Sequence, residues 1–272
     1  MRLAITGSSG LIGTVLVEEL HQRHQITGYD RRPPATLPQG VSFVQGDMED
    51  RQTLAQALEG AEGVIHLAAI PYDIPPLHEV FRINMQGTYN ALEIAVERGA
   101  QCLLFASSIM AYGFGQNVDP QYFPVDEEHP VLANRPYGLS KRLGEELCRS
   151  FTERCGLRTH CFRLTLAVAP GKRYDLLPST ERQGEVGIYS YFDVRDFARL
   201  AEAALQATAL THETFLVASG DSGHADPTGE VITRYYPQAG LRYQELNPTS
   251  PFVTCAKARR LLGFAPQHSW RT

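Results

Sequence analysis

The chain has 272 residues, 43% of them hydrophobic and 20% charged, a composition that suits one large α/β unit with a sizeable core. Its 25 basic and 30 acidic residues leave a net charge of −5 with no block of like charge, which argues against a nucleic acid or an anionic membrane as partner. No apolar run approaches the roughly 18–20 residues that cross a bilayer, and the first residues enter a strand without a basic leader, so a cytoplasmic protein is expected.

Strand and helix patterns alternate from the first residues. "RLAIT" (2–6) reads as a buried strand and "LIGTVLVEELHQR" (11–23) as an amphipathic helix. Strands follow at 24–30 and, past a proline-rich loop, at 41–47, then a short helix at 51–60 and a fourth strand at 63–69. Helical spacing through Val80, Ile83, Tyr89, Leu92, Ile94 and Val96 predicts a helix over 77–98. "CLLFASS" (102–108) is a fifth strand, 136–155 a long helix and "RTHCFRLT" (158–165) a sixth strand. Short apolar strands separated by helices predict a Rossmann-like, doubly wound parallel sheet with right-handed crossovers.

Beyond residue 165 the rhythm loosens. The stretch 189–205 turns into a helix, 213–220 reads as a strand, 227–236 as a helix, 241–245 as a short strand, and 255–263 as a last helix ending at Gly263. Residues 1–272 therefore read as a single domain, with a small C-terminal lobe contributed by about 166–190 and 221–272. The five cysteines (Cys102, Cys148, Cys155, Cys161 and Cys255) are odd in number and lack a C-x-x-C pair, so neither a disulfide framework nor a metal site is expected, and a reducing compartment fits.

"TGSSGLIG" places Gly7, Gly10 and Gly13 between the first strand and the first helix. Such a turn needs glycine to bend sharply, to bring backbone N–H groups close to a pyrophosphate, and to pack the helix on the strand. The helix N-terminus adds partial positive charge for the phosphates. Ser9, Leu11 and Ile12 belong to the same expected dinucleotide contact. Asp30 ends the second strand, where a carboxylate accepts both ribose hydroxyls and repels a 2′-phosphate, favouring NAD. Arg31 and Arg32 beside it suit a 2′-phosphate, which keeps NADP open. Asp47 is a candidate acceptor for the adenine amino group, with Met48 beside it; the alternative for Asp47 is a cap for the next helix.

Several further motifs resemble the extended short-chain dehydrogenase/reductases, specifically the NAD-dependent epimerase/dehydratase family, over almost the whole chain. They are "HLAA" (66–69), "INMQGTYN", "SSIMAYG", "YGLSK", "YFDVRD" and the terminal "AKARRLLGFAP", besides the glycine turn. The resemblance implies a catalytic triad of Ser108, Tyr137 and Lys141, and cofactor contacts from Leu67, Ala68, Ala69, Asn84, Tyr137 and Lys141. Four-residue spacing puts Tyr137 and Lys141 on one helix face, although the pair taken alone describes a surface helix equally well. Tyrosine titrates near ~10, so a neighbouring lysine is expected to favour the tyrosinate. Ser108 would then hold the substrate oxygen while Tyr137 takes its proton. His66 is expected to be a satisfied structural histidine.

Departures from the family pattern bear on the substrate. Nucleotide-sugar enzymes of the family carry an asparagine for the diphosphate after the sixth strand; "RLTLAVAPG" has Leu166 there. Only 142–272 follows Lys141, a compact build resembling the uronate dehydrogenases, in which an arginine beyond the sixth strand binds the substrate carboxylate. Arg173 stands at about that place, and Tyr72 and Asp73 are further pocket candidates, Asp73 alternatively capping the next turn. The loop "FGQNVD" (114–119) is also correctly located. The expected function is NAD(P)-dependent oxidation of a free sugar or sugar acid by a homodimer. A sugar-nucleotide epimerase or dehydratase with tightly held NAD stays open, and so does a non-enzymatic NAD(P)-sensing protein, against which the retained Tyr137 and Lys141 count.

Overall fold

The computed structural model describes residues 1–116, 118–176, 178 and 187–272. Asn117 of the 114–119 loop, and residues 177 and 179–186 of the expected lobe segment 166–190, lie outside the described residues.

β1 (Arg2–Thr6) is followed by α1 (Leu11–Leu20), β2 (Gln25–Asp30), β3 (Ser42–Gln45), α2 (Arg51–Ala57), β4 (Gly63–His66), α3 (Leu77–Glu97) and β5 (Cys102–Ser108). A 3-10 turn (Ile109–Tyr112), β6 (Tyr122–Phe123) and α4 (Pro136–Cys155) lead to β7 (Arg158–Leu164). Then come β8 (Leu166–Val168), β9 (Tyr191–Asp193), α5 (Val194–Gln206), β10 (His212–Val217), α6 (Thr228–Tyr235), β11 (Gly240–Leu241) and α7 (Ala256–Leu262). Seven strands pair in parallel in the order β10, β7, β5, β4, β1, β2, β3. The winding reverses between β1 and β4, which opens a crevice beyond the carboxyl ends of the strands.

The apolar strands are covered on both faces, as their composition requires. Leu16 and Leu20 of α1, Phe197 and Leu200 of α5, and Ala258 of α7 pack on one face. Leu54 of α2, Leu92 and Ile94 of α3, and Cys148 and Phe151 of α4 pack on the other. Phe162 of β7 shows the mode of packing, with its ring 5.3 Å from Phe197 and 5.8 Å from Phe215. Each such buried ring contributes about 1.5–3 kcal/mol. Among the described residues no helix is long and apolar enough to cross a membrane.

A third core cluster holds Tyr112, Phe123, Val125, Tyr189, Val231, Tyr236 and Phe252. It joins Ile109, Phe114, Phe123 and Val125 to Tyr189, Val231, Tyr236 and Phe252, a packing absent from the sequence expectation. β6 pairs with β11, and Val125 bridges Val253.

Three boundaries differ from expectation for physical reasons. The fourth strand stops at His66 instead of residue 69, because its neighbour β1 turns away at Gly7 and the Ala68 N–H is taken by the Thr6 hydroxyl at 3.3 Å. The helix expected within 189–205 begins at Val194: Tyr191–Asp193 is extended, pairs with β8, and ends in Asp193, whose carboxylate caps α5 through Arg195 N. The strand expected at 241–245 shrinks to Gly240–Leu241, since its partner β6 ends at Phe123, just before Pro124, which has no N–H to continue a ladder.

Candidate active site

A cleft of about 580 Å³ runs along the carboxyl edge of the sheet. Gly7 enters the turn with φ of 73°, and a Cβ there would stand 2.8 Å from Ala68 N. Gly13 lies in the first turn of α1, where a Cβ would come within 2.6 Å of Ser8 Cα. The helix therefore seats directly on the loop, and its first turn carries no acidic residue to oppose an anion. A side chain at either position would meet backbone, so the tight turn at the start of the helix requires glycine. Replacing Gly13 with alanine is expected to cost about 1–3 kcal/mol of stability through overpacking and to weaken NAD binding at least about tenfold. Thermal unfolding with and without NAD, together with calorimetric titration, measures both effects.

At the adenosine end, the Asp30 carboxylate accepts from Ser9 N at 3.1 Å and Arg32 N at 3.0 Å, so it locks the glycine turn to the turn after β2. Ser9 sends its hydroxyl to Arg32 O and does not line the cleft. Arg31 is exposed and lies 3.8 Å from Asp47. The cap of α2 is Asp50, which accepts from Gln52 N and Thr53 N, so the capping alternative for Asp47 falls away. Asp47 and Met48 line the cleft, as do Leu67, Ala68 and Ala69. His66 lies beneath them, within hydrogen-bond reach of Thr6 at 2.8 Å and Thr88 at 3.3 Å. Burial, with the Lys141 charge nearby, pushes its pKa down to about 3, so it stays neutral and structural.

β5 delivers Ser108 and α4 delivers Tyr137 and Lys141 to the same stretch of the cleft. The Ser108 hydroxyl faces the Tyr137 phenol and lowers its pKa against the effect of burial, and it accepts from Met110 N at 3.1 Å. Lys141 is only 5% exposed; its Nζ donates to Ala106 O at 2.7 Å and stands 5.8 Å from the Tyr137 ring centre. Burial pulls the lysine down to about 8 and pushes the Tyr137 phenol up to about 12. The expected pull of the lysine toward tyrosinate is thus opposed by burial, and it weakens further as the ammonium itself approaches neutrality. Asn84 is buried behind this cluster and not in the cleft. It accepts from Ile70 N at 2.8 Å and donates to Ile70 O and Ser140 Oγ at 3.1 Å, tying the loop after β4 to α4.

Below Ser108 lies an ion pair that the sequence reading missed. Arg163 of β7 makes two bonds to Glu145 of α4, at 3.0 and 2.8 Å, and donates to Tyr112 OH at 2.9 Å and Glu127 O at 3.0 Å. Ser107 donates to the same Glu145 at 2.5 Å. The available signal was spacing: Glu145 lies one further turn along the face that bears Tyr137 and Lys141.

At the mouth, Arg173 donates to the Tyr72 hydroxyl at 3.3 Å, which brings together two residues 101 positions apart. Leu166, at the head of β8, lines the same end with Thr165, Gln116 and Arg135. Gln116 belongs to the 114–119 loop expected near the pocket, whereas Arg135 was not anticipated, because loop residues carry no periodic signal. Asp73 caps no turn of its own; it accepts from Tyr137 N at 2.8 Å. Among the described residues no three metal-ligating side chains cluster.

Fold and cleft together define an extended short-chain dehydrogenase/reductase. Residues 3–218 match the NAD dependent epimerase/dehydratase family, and the chain belongs to that family. NAD is accordingly its cofactor, and it is an enzyme of the dehydrogenase/epimerase type. The chain is similar to the L-arabinose 1-dehydrogenase (NAD(P)(+)) of Haloferax volcanii, with 32% identity over 60% of this chain and 66% of that one. It is 28% identical to the uronate dehydrogenase of Agrobacterium fabrum, over 77% of this chain and 73% of that one. It is also 24% identical to the UDP-glucose 4-epimerase of Corynebacterium glutamicum, over 99% and 92% of the two chains. In fold it resembles an NAD-bound short-chain dehydrogenase/reductase superfamily protein of Agrobacterium tumefaciens, with a TM-score of 0.78, 23% identity, and coverage of 100% and 94%.

Proposed function

We propose that this protein is a dehydrogenase of a free sugar or sugar acid, oxidising a carbohydrate hydroxyl carbon and releasing NADH. The observation that carries this reading is Leu166. It lines the substrate end of the cleft at the position where a nucleotide-sugar enzyme needs a donor for the diphosphate, and leucine has none.

The geometry supports the following roles. Gly7, Gly10 and Gly13 with the start of α1 would hold the pyrophosphate, Asp30 the adenosine ribose, and Asp47 and Met48 the adenine. NAD when bound supplies the hydride acceptor. Ser108 holds the substrate oxygen by hydrogen bond, and Tyr137 takes the hydroxyl proton as the adjacent C–H bond breaks. Lys141 would hold the nicotinamide ribose and, where charged, favours the tyrosinate. The C–H electron pair leaves as hydride, the hydroxyl becomes a carbonyl, and the proton passes to solvent, so the reaction balances as alcohol plus NAD⁺ to carbonyl plus NADH and H⁺.

Arg173 and Tyr72 would bind the substrate, with Arg173 taking a carboxylate where the sugar carries one. Arg173→Ala is expected to raise KM for a uronic acid about 10–100-fold, the worth of a hydrogen bond to a charged group, with little change in kcat. KM for a neutral aldose should move far less. Equal effects on both substrates would remove Arg173 from carboxylate recognition. The C-terminal lobe would cover the substrate over this mouth.

Likeness to a UDP-glucose 4-epimerase along nearly the whole chain favours a second reading, in which NAD stays bound and the hydride returns to the substrate. Leu166 supports the first reading over it. A cytoplasmic location is supported by cysteines that are all free thiols. A homodimer built through α3 and α4 is proposed on the family resemblance and is tested by sedimentation.

A further inference from the structure

Helix α4 begins without a local cap. Its N-cap residue Arg135 makes no side-chain capping bond, and Pro136 has no N–H, so Tyr137 carries the first backbone donor of this 20-residue helix. Asp73, 64 residues earlier in the loop after β4, takes that donor at 2.8 Å. A carboxylate there also faces the positive end of the helix, which stabilises both. The loop that carries Asp73 is itself fixed: Asn84 brackets Ile70, and Arg173 meets Tyr72.

The geometry points to Asp73 as a positioning residue that fixes the backbone from which the Tyr137 phenol projects, while placing a negative charge beside that phenol. This inference rests on Tyr137 serving as the acid/base. The groups facing the phenol are Ser108 from β5, Lys141 from α4, and Tyr72 and Asp73 from the loop. Arg173 reaches Tyr72 from the β8 side, and Arg135 precedes the helix. Asp73 is the carboxylate of this set. A like charge disfavours tyrosinate, so Asp73 holds the phenol in place and at the same time makes its proton harder to remove.

Asp73→Asn keeps an oxygen to accept from Tyr137 N but drops the charge; Asp73→Ala drops both. With the uronic acid or aldose turned over fastest with NAD, Asp73→Ala is expected to lower kcat about tenfold through misplacement of the phenol. Asp73→Asn should hold kcat within about twofold at high pH and move the acid limb of the kcat profile about half a pH unit lower. Below that limb Asp73→Asn should therefore turn over faster than the unmodified protein. In [¹⁵N]tyrosine-labelled protein, the Tyr137 amide proton should move upfield in Asp73→Ala, which removes its acceptor, and stay near its original shift in Asp73→Asn.

An Asp73→Asn profile superimposed on the unmodified one overturns the inference, and so does a Tyr137 amide proton unmoved in Asp73→Ala, with or without a substrate in hand. If Tyr137→Phe retained turnover, the acid/base reading itself would fail. An inactive Tyr137→Phe beside unaltered Asp73 variants would sink the Asp73 inference alone.

Discussion

Replacing Tyr137 with phenylalanine is expected to lower kcat by about 10²–10⁴, the usual contribution of a positioned general acid or base, while NAD still binds. The substitution removes one oxygen and leaves the ring, whose place is set by Pro136 at the helix start and by Asp73 at its first donor. The glycine turn and Asp30 are untouched, so cofactor affinity should stay within about twofold. A loss of NAD binding equal to the loss of turnover would instead mean that the phenol builds the pocket and does no proton chemistry. Rate measurements across pH sharpen the test. Burial holds the phenol up near about 12, so in the unliganded protein the neutral form dominates at ordinary pH, and turnover should rise with pH along an acid limb.

Glu145→Ala is expected to be the most destabilising single change near the site. It strands the Arg163 guanidinium, which is 6% exposed, without its two-bond partner. Burial works against the charge of Arg163, but Glu145 and Tyr112 more than offset it and hold the arginine above its usual pKa. Breaking such a pair from one side costs about 3–5 kcal/mol. For a chain of this size that is a fall in Tm of about 6–20 °C, read by thermal or urea unfolding. Replacing both partners with apolar residues of similar volume should cost much less, because no buried charge is then left alone. Loss of Ser107's acceptor should also loosen the end of β5 and reduce turnover. A Glu145→Ala protein within about 1 kcal/mol of the original would show that Arg163 finds another partner or reaches water.

The parts of this site that were legible in the sequence are those where local geometry dictates residue type. Gly7 and Gly13 stand where a Cβ has no room, so the turn announces itself as a glycine string. Tyr137 and Lys141 are one helical turn apart, and that spacing survives in the sequence. The parts that were hidden join distant segments. Asp73 meets Tyr137 across 64 residues, Glu145 meets Arg163 across 18, and Arg173 meets Tyr72 across 101. Such contacts are chosen by the sheet order, which places β4, β5 and β7 side by side. Strands of three residues, β8 and β9, are too short to show a period of two, so the sequence reading merged Tyr191–Asp193 into the following helix. The capping question at Asp47 was settled by Asp50, three residues on, which a propensity argument could not rank against it.

The most direct test of net sugar oxidation incubates the purified protein with excess NAD and, separately, uronic acids, neutral aldoses and UDP-sugars, following NADH absorbance and product NMR together. NADH should accumulate in step with oxidised product for a free sugar acid or aldose, and UDP-sugars should be left unchanged. Conversion of a UDP-sugar to its epimer with no net NADH, and inert free sugars, would contradict the account.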